Sequence, residues 1–362
     1  MCSKFFTLIA ALLFVITACK NTPKSTTPDQ TEESSESPTA MEAYLLTYFK
    51  DDTHSLHMAL STDGYSFTDI NEGKPIVAGD SIASQKGIRD PHISRGPDGA
   101  FYVVMTDLHL FAKNLGYRET TWERPIEEYD WGNNKGFVMM KSYDLIHWEH
   151  TNFLFDEHFE GFHEIGCAWA PQSIYDPEEG KMMVYYTMRM GHGLTKLYYS
   201  YANENFTTLT EPQPLFEYPD DSIQILDADI TKLPDGKYCM MYVAQENPIG
   251  VKMAFSDSIN SGYVYNPEWV DMEPGSCEAP NVWQRIDSDD YVLMYDIYSI
   301  NPHNFGFVET SDFENFKDLG HFNEGKMKTT NFTSPKHGAV IQLTRAESQK
   351  LAQHWEYTLN FE

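Results

Sequence analysis

The sequence predicts an all-β fold, a five-bladed β-propeller whose first blade is closed by N-terminal and C-terminal strands. Three observations predict it: a strand–Ser/Thr–aromatic pattern recurring five times, turn signals between apolar runs, and five short strand starts of which the last has no strands after it. Aromatic residues make up 14% of the chain, which suits strands better than helical bundles.

In chain order, the first pattern runs through Leu56–Ser61 with Phe67, Phe137–Ser142 with Trp148, Leu197–Ser200 with Phe206, Val251–Ser256 with Tyr263, and Phe305–Thr310 with Phe316. The small residues at 61, 142, 200, 256 and 310 stand 81, 58, 56 and 54 apart. The long first step predicts an insertion at residues 108–131, rich in aromatic side chains, that either walls a pocket or packs as an inert elaboration on the propeller side. Pro97-Asp98-Gly99, Glu179-Gly180, Pro234-Asp235-Gly236 and Asp289-Asp290 lead into apolar runs, as hairpin turns do. Before those turns stand Asp90-Pro91-His92-Ile93, Ala170-Pro171-Gln172-Ser173, Asp227-Ala228-Asp229-Ile230 and Ala279-Pro280-Asn281-Val282. The fifth member, His337-Gly338-Ala339-Val340, ends the chain's strands, so its blade takes its other strands from the N-terminus. Radial closure of this kind leaves only short protected edges.

The first 41 residues are predicted to lie outside the fold. Phe5 to Ala18 is apolar and uncharged, too short for a membrane span and suited to a signal peptide over residues 1–18. Ile16-Thr17-Ala18-Cys19 resembles a bacterial lipobox, which implies a lipidated Cys19. Residues 20–41 are Thr, Ser, Pro and Glu with little to bury, which predicts a disordered tether. The expectation is a monomeric lipoprotein held at an outer membrane or cell surface by its lipid anchor alone, with its catalytic domain at 42–362. The net charge of −28 and the lack of a basic stripe argue against nucleic acid. Cys167, Cys239 and Cys277 form neither a disulfide framework nor a zinc pattern.

In a propeller the starts of the innermost strands converge on one mouth. Here they offer Asp90, Gln172, Asp227, Glu278 and His337. Carboxylates crowded together split into acid and base roles, which is what glycoside hydrolysis needs. Asp229, two residues after Asp227, points the same way along a strand and competes with it. Trp169 could stack on a sugar, Arg189 could bond a sugar hydroxyl, and His303 sits on a nearby loop.

Ile88-Arg89-Asp90-Pro91-His92-Ile93, Trp169-Ala170-Pro171, Leu226-Asp227-Ala228 and Glu278-Ala279-Pro280 resemble the motifs of glycoside hydrolase family 43, in order, across residues 42–362. The resemblance implies inverting hydrolysis of furanosides or xylosides. It implies Asp90 as general base, Asp227 as the residue that tunes and orients the acid, and Glu278 as general acid. It implies that His337 binds an ion on the propeller axis, usually calcium, and that the chemistry needs no cofactor. Leu226 stands where the family more often has Ile. The reading is an exo-acting α-L-arabinofuranosidase on oligo- or polysaccharide, with a β-xylosidase or β-galactofuranosidase as enzymatic alternatives. A silent sugar-binding lipoprotein is disfavoured because all three carboxylates are present. A phosphorylase is disfavoured because no Arg/Lys cluster is apparent.

Overall fold

The computed structural model describes residues 40–361. The predicted signal peptide, the predicted lipidation site Cys19 and the predicted tether up to residue 39 lie outside the described residues. Five sheets, antiparallel apart from one short parallel edge strand in blade I, follow one another around an axis. Blade I joins Lys336–Thr344, innermost, to Met41–Phe49, His57–Ser61 and Ser66–Asp69, with Lys328–Thr329 on its outer edge. Blade II is Ile88–Arg95, Phe101–Asp107, Gly136–Ser142 and Glu149–Leu154. Blade III is Ile165–Asp176, Lys181–Met190, Lys196–Tyr201 and Gln213–Phe216. Blade IV is Ile225–Lys232, Tyr238–Ala244, Gly250–Ser256 and Val264–Trp269. Blade V is Glu278–Gln284, Tyr291–Ile297, Asn304–Thr310 and Lys317–His321. The five innermost strands pack against one another in a closed ring. The expected five-bladed propeller and its split first blade are therefore present.

The core consists of five slabs, one between each pair of neighbouring blades. Val103 and Met105 face blade I, while Tyr102 and Val104 on the same strand face blade III. Met183 and Tyr185 likewise face blade IV, and Val184 and Tyr186 face blade II. Both faces of a middle strand are thus buried, so these strands read as continuous apolar runs and not as alternation.

In four of the five blades the recurring Ser/Thr closes the turn after the third strand; in blade III Ser200 bonds the Tyr186 hydroxyl and Asn203 holds the turn instead. The Ser142 hydroxyl accepts the Leu145 N–H at 3.0 Å, and the Asp144 carboxylate accepts the N–H of His147 at 2.8 Å. Ser61 with Asp63 and Thr310 with Asp312 repeat the device. Beyond the expected strands, a helix at Arg345–His354 follows blade I's innermost strand. Thr344 and Glu347 cap it reciprocally, and Arg95 of blade II grips Glu347 through two bonds of 2.6 and 2.8 Å.

Candidate active site

Every innermost strand carries the same irregularity. Pairing skips from Arg89 to His92, from Trp169 to Gln172, from Leu226 to Asp229, from Glu278 to Asn281, and from Lys336 to Ala339. Two residues of the inner strand oppose one of its neighbour each time, which is a β-bulge. The first of the two is left-handed in all five blades: Asp90, Ala170, Asp227, Ala279 and His337 have φ of 53°, 45°, 53°, 59° and 27°. The second is Pro91, Pro171, Ala228, Pro280 or Gly338, and a bulge tolerates the N–H that proline lacks. The recurring X-Pro motifs are thus bulge sequences. A bulge re-aims side chains, and here it turns consecutive residues toward one mouth.

A cavity of about 140 Å³ opens there, lined by Asp90, Asp227, Glu278, His337 and Trp169, with Arg89 and Leu226 between them. The three predicted carboxylates come from blades II, IV and V. Glu278 is one step out of register with the two aspartates: its bulge equivalents are Arg89, Trp169, Leu226 and Lys336. Larger surface hollows lie beside Arg285 and Arg345, on the opposite side of blade I. They hold none of these carboxylates.

The electrostatics separate the three acids. Burial pushes Asp90 up, but His337, Arg89 and Thr106 outweigh it and hold the carboxyl well below the usual range. His337 Nδ1 lies 3.3 Å from Asp90 Oδ1, and the Thr106 hydroxyl donates to Oδ2 at 2.7 Å. Burial lowers His337, but Asp90 outweighs it and the imidazole stays above its ordinary value. Glu278 is raised, by burial and then by Asp296, against the opposing pull of Lys336 and Arg89. Asp227 is also raised, by burial and by its two carboxylate neighbours, with His337 opposing. The Asp227 Oδ2 accepts the Ala279 N–H at 3.3 Å, tying it to the turn that presents Glu278.

Sequence reasoning missed Asp296 and Lys336. Lys336 Nζ lies 3.8 Å from Glu278 Oε1 and 3.5 Å from Asp296 Oδ2. Asp296 pairs with Glu278 across blade V and is fully buried. Its equivalents in blades II and III are Thr106 and Thr187, whose hydroxyls accept the Ala170 and Asp227 N–H groups. Asp296 does the same for His337, at 3.3 Å. A threonine would serve that link, so the carboxylate adds a charge beside Glu278. Its placement across from Glu278 follows from the bulge register, which no local motif reveals.

Three expected contacts are corrected. Gln172 does not line the cavity: it lies three residues past Trp169, below the bulge, where its Oε1 accepts the Tyr185 hydroxyl at 3.0 Å. Arg189 is buried behind Trp169, 4.7 Å from the ring centre, and donates to the carbonyls of Tyr129 and Trp131. Both bonds come from one guanidinium nitrogen and tie Arg189 to the insertion. His303 also stands outside the cavity lining, 3.7 Å from Asp51, which in turn holds Arg89 at 2.8 Å. Asp229 does not share Asp227's surroundings. The bulge drops it one layer, where it accepts the Asn281 side chain at 3.1 Å and the Val282 N–H at 2.9 Å. Leu108 and Trp131, the ends of the insertion, do line the cavity.

The axial ion finds little to hold it. His337 Nε2 is buried and unpartnered, but calcium prefers six to eight oxygens. Among the described residues no group of three or more His, Cys, Asp or Glu is placed to hold a metal. The residues present do not fit a calcium cage made by the protein. Cys167, Cys239 and Cys277 are free and buried.

Residues 39–349 match the family described as probable glycosyl hydrolase domain, a relative of glycosyl hydrolase family 43. The chain belongs to that family. An alpha-L-arabinofuranosidase of Bifidobacterium longum subsp. longum is 23% identical over 251 residues, 62% of this chain but 21% of that protein. The chain thus spans about a fifth of the length of that relative. Among solved structures, a thermostable family-43 glycoside hydrolase superposes with a TM-score of 0.50 at 16% identity, covering 70% of this chain and 78% of that chain. An alpha-L-arabinanase mutant of Cellvibrio cellulosa gives 0.50 at 13% identity, covering 74% and 87%. These two likenesses concern the fold.

Proposed function

We propose that this protein is an inverting, exo-acting α-L-arabinofuranosidase. One observation carries the catalytic assignment: three carboxylates share one small cavity, and their surroundings drive one toward ionisation and another toward protonation. Asp90, ionised beside His337, is the general base that takes a proton from water. Glu278, kept protonated by burial and Asp296, is the general acid that gives its proton to the leaving oxygen. Asp227 orients Glu278 and disfavours its ionisation. Inversion is a single displacement, after which Asp90 holds the water's proton and Glu278 is charged. Exchange with bulk water resets both.

The furanoside reading is supported by the arabinofuranosidase relative, and exo action by the cavity's size. At about 140 Å³ it is far below the roughly 300–1,000 Å³ of sites for larger ligands. The test is a panel of nitrophenyl furanosides and xylosides, with product anomers followed by proton NMR. Arabinofuranoside cleavage with inversion is expected. Xyloside preference would change the sugar, and retention would remove the mechanism. Glu278→Gln should lower kcat/KM on unactivated glycosides by about 10²–10⁴-fold. We also propose that Cys19 anchors the protein to a membrane. Cys19→Ser should move it from the detergent to the aqueous phase, and unchanged partition would reject the anchor.

A further inference from the structure

The insertion does more than close the cavity. Among the described residues ten large hydrophobic side chains are exposed, and five of them (Phe111, Leu115, Tyr117, Ile126 and Trp131) belong to this one segment. Met190 and Leu194 add to them from the blade III hairpin, whose His192 bonds the Glu127 carbonyl. Exposed apolar side chains gathered beside a catalytic mouth mark a binding surface.

Trp131 is the member that reaches the cavity. It is 50% exposed, yet its backbone is fixed on three sides. Arg189 holds its carbonyl at 2.5 Å. Asn133 binds the carbonyls of Arg124 and Asp130 at 3.0 and 2.9 Å. The Trp169 indole N–H donates to the Gly132 carbonyl at 2.9 Å. Gly132 is itself required there: at its φ of 65° a Cβ would meet the Trp169 ring at 2.9 Å. Trp122 and Trp169 meet Trp131 edge-on, at 5.5 and 5.6 Å between ring centres. A rigidly held, half-bare indole at a mouth is preorganised to take a flat partner.

At about 140 Å³ the cavity has room for one sugar ring, so the rest of a substrate lies outside it. We propose that Trp131, backed by Trp122, is the subsite for the leaving portion of the substrate, and that this portion is a neutral pyranose chain. A pyranose presents a flat C–H face to an indole while its hydroxyls stay in water. Neutrality follows from the charge of the same segment. Residues 108–131 carry five acids, Glu119, Glu123, Glu127, Glu128 and Asp130, against Lys113, Arg118 and Arg124, and this net negative charge disfavours a chain of uronic acids.

This inference rests on the furanosidase reading, and the experiment separates the two. The full chain and its Trp131→Ala and Trp131→Phe variants are compared on arabinofuranosyl fluoride, whose leaving group is one atom, and on neutral arabinoxylan oligosaccharides. Trp131→Ala should lower kcat/KM about tenfold or more on the oligosaccharides and about threefold or less on the fluoride, with Trp131→Phe recovering most of the loss. Equal losses on both substrates, or none on the oligosaccharides, overturn the subsite. If the parent chain cleaves neither substrate, the furanosidase reading fails, and binding then decides the subsite. Glu278→Gln chain is run through gels containing neutral arabinoxylan, arabinan or polygalacturonate, with and without Trp131→Ala. Retardation by a neutral polysaccharide that Trp131→Ala abolishes supports the shelf. Retardation unchanged by Trp131→Ala, absent from every neutral polysaccharide, or strongest in polygalacturonate overturns it. An unchanged melting temperature for Trp131→Ala shows that the variant is folded.

Discussion

Asp227 and Asp229 stand two residues apart on one strand, and burial raises both above the usual carboxylate range, Asp229 to about 7. An unbroken strand would point them the same way. The bulge between Leu226 and Asp229 separates them instead. Asp227 opens onto the cavity with Glu278, whereas Asp229 spends both oxygens on blade V and lies within 4.0 Å of His92. The same split runs through every blade. The upper layer, from Arg89-Asp90 to Lys336-His337, carries the chemistry. The lower layer of His92, Gln172, Asp229 and Asn281 ties neighbouring blades together. Similar perturbation of two acids therefore says little about their roles, and the partners of their oxygens say more.

The largest test of this contrast is to neutralise each aspartate. Asp227→Asn should lower kcat by about 10²-fold or more with little change in melting temperature, since it removes a charge from the acid's surroundings. Asp229→Asn should do the reverse. It breaks buried bonds to Asn281 and Val282, costing about 1–3 kcal/mol of stability, with a much smaller loss of kcat. Equal kinetic effects from the two would erase the distinction between the layers.

A second test concerns Asp296 against its threonine equivalents. Glu278 works protonated, so activity falls as pH rises through its raised pKa. Asp296→Asn removes a negative neighbour, lowers that pKa and should move the alkaline limb of the pH–rate profile to lower pH. Lys336→Met removes a positive neighbour and should move the limb to higher pH. A purely structural role for Asp296 would lower stability and leave the limb in place.

The smallest expected effect is at Thr106. Thr106→Val removes one bond to the ionised Asp90, so the acid limb should move up in pH and stability should fall by about 1 kcal/mol. Asp90 works ionised, so activity is present above its pKa and is lost as pH falls through it.

Asp90, Asp227, Glu278 and Trp169 could be picked out from strand starts because each sits beside a short bulge sequence that repeats around the ring. Gln172 stands two residues past the bulge equivalent of the two aspartates, and nothing in an alternating strand announces a skipped pairing. Arg189 and His303 stand outside the cavity for another reason. A cation's partner is a tertiary fact, and Arg189 has its partners in an insertion some sixty residues earlier in the chain. Asp296 stayed hidden because it gains meaning only across a register. The Thr344–Glu347 capping box, by contrast, was there to be read three residues apart.

By itself the sequence determined the number of blades and their closure, because strand runs, Ser/Thr-Asx turns and bulge dipeptides are local and repeat at near-equal spacing. The tertiary structure alone decided which carboxylates meet, how their protonation splits, and where the insertion lies. Those outcomes depend on distances between groups far apart in the chain, and on one left-handed residue per blade that turns two neighbours toward the same opening.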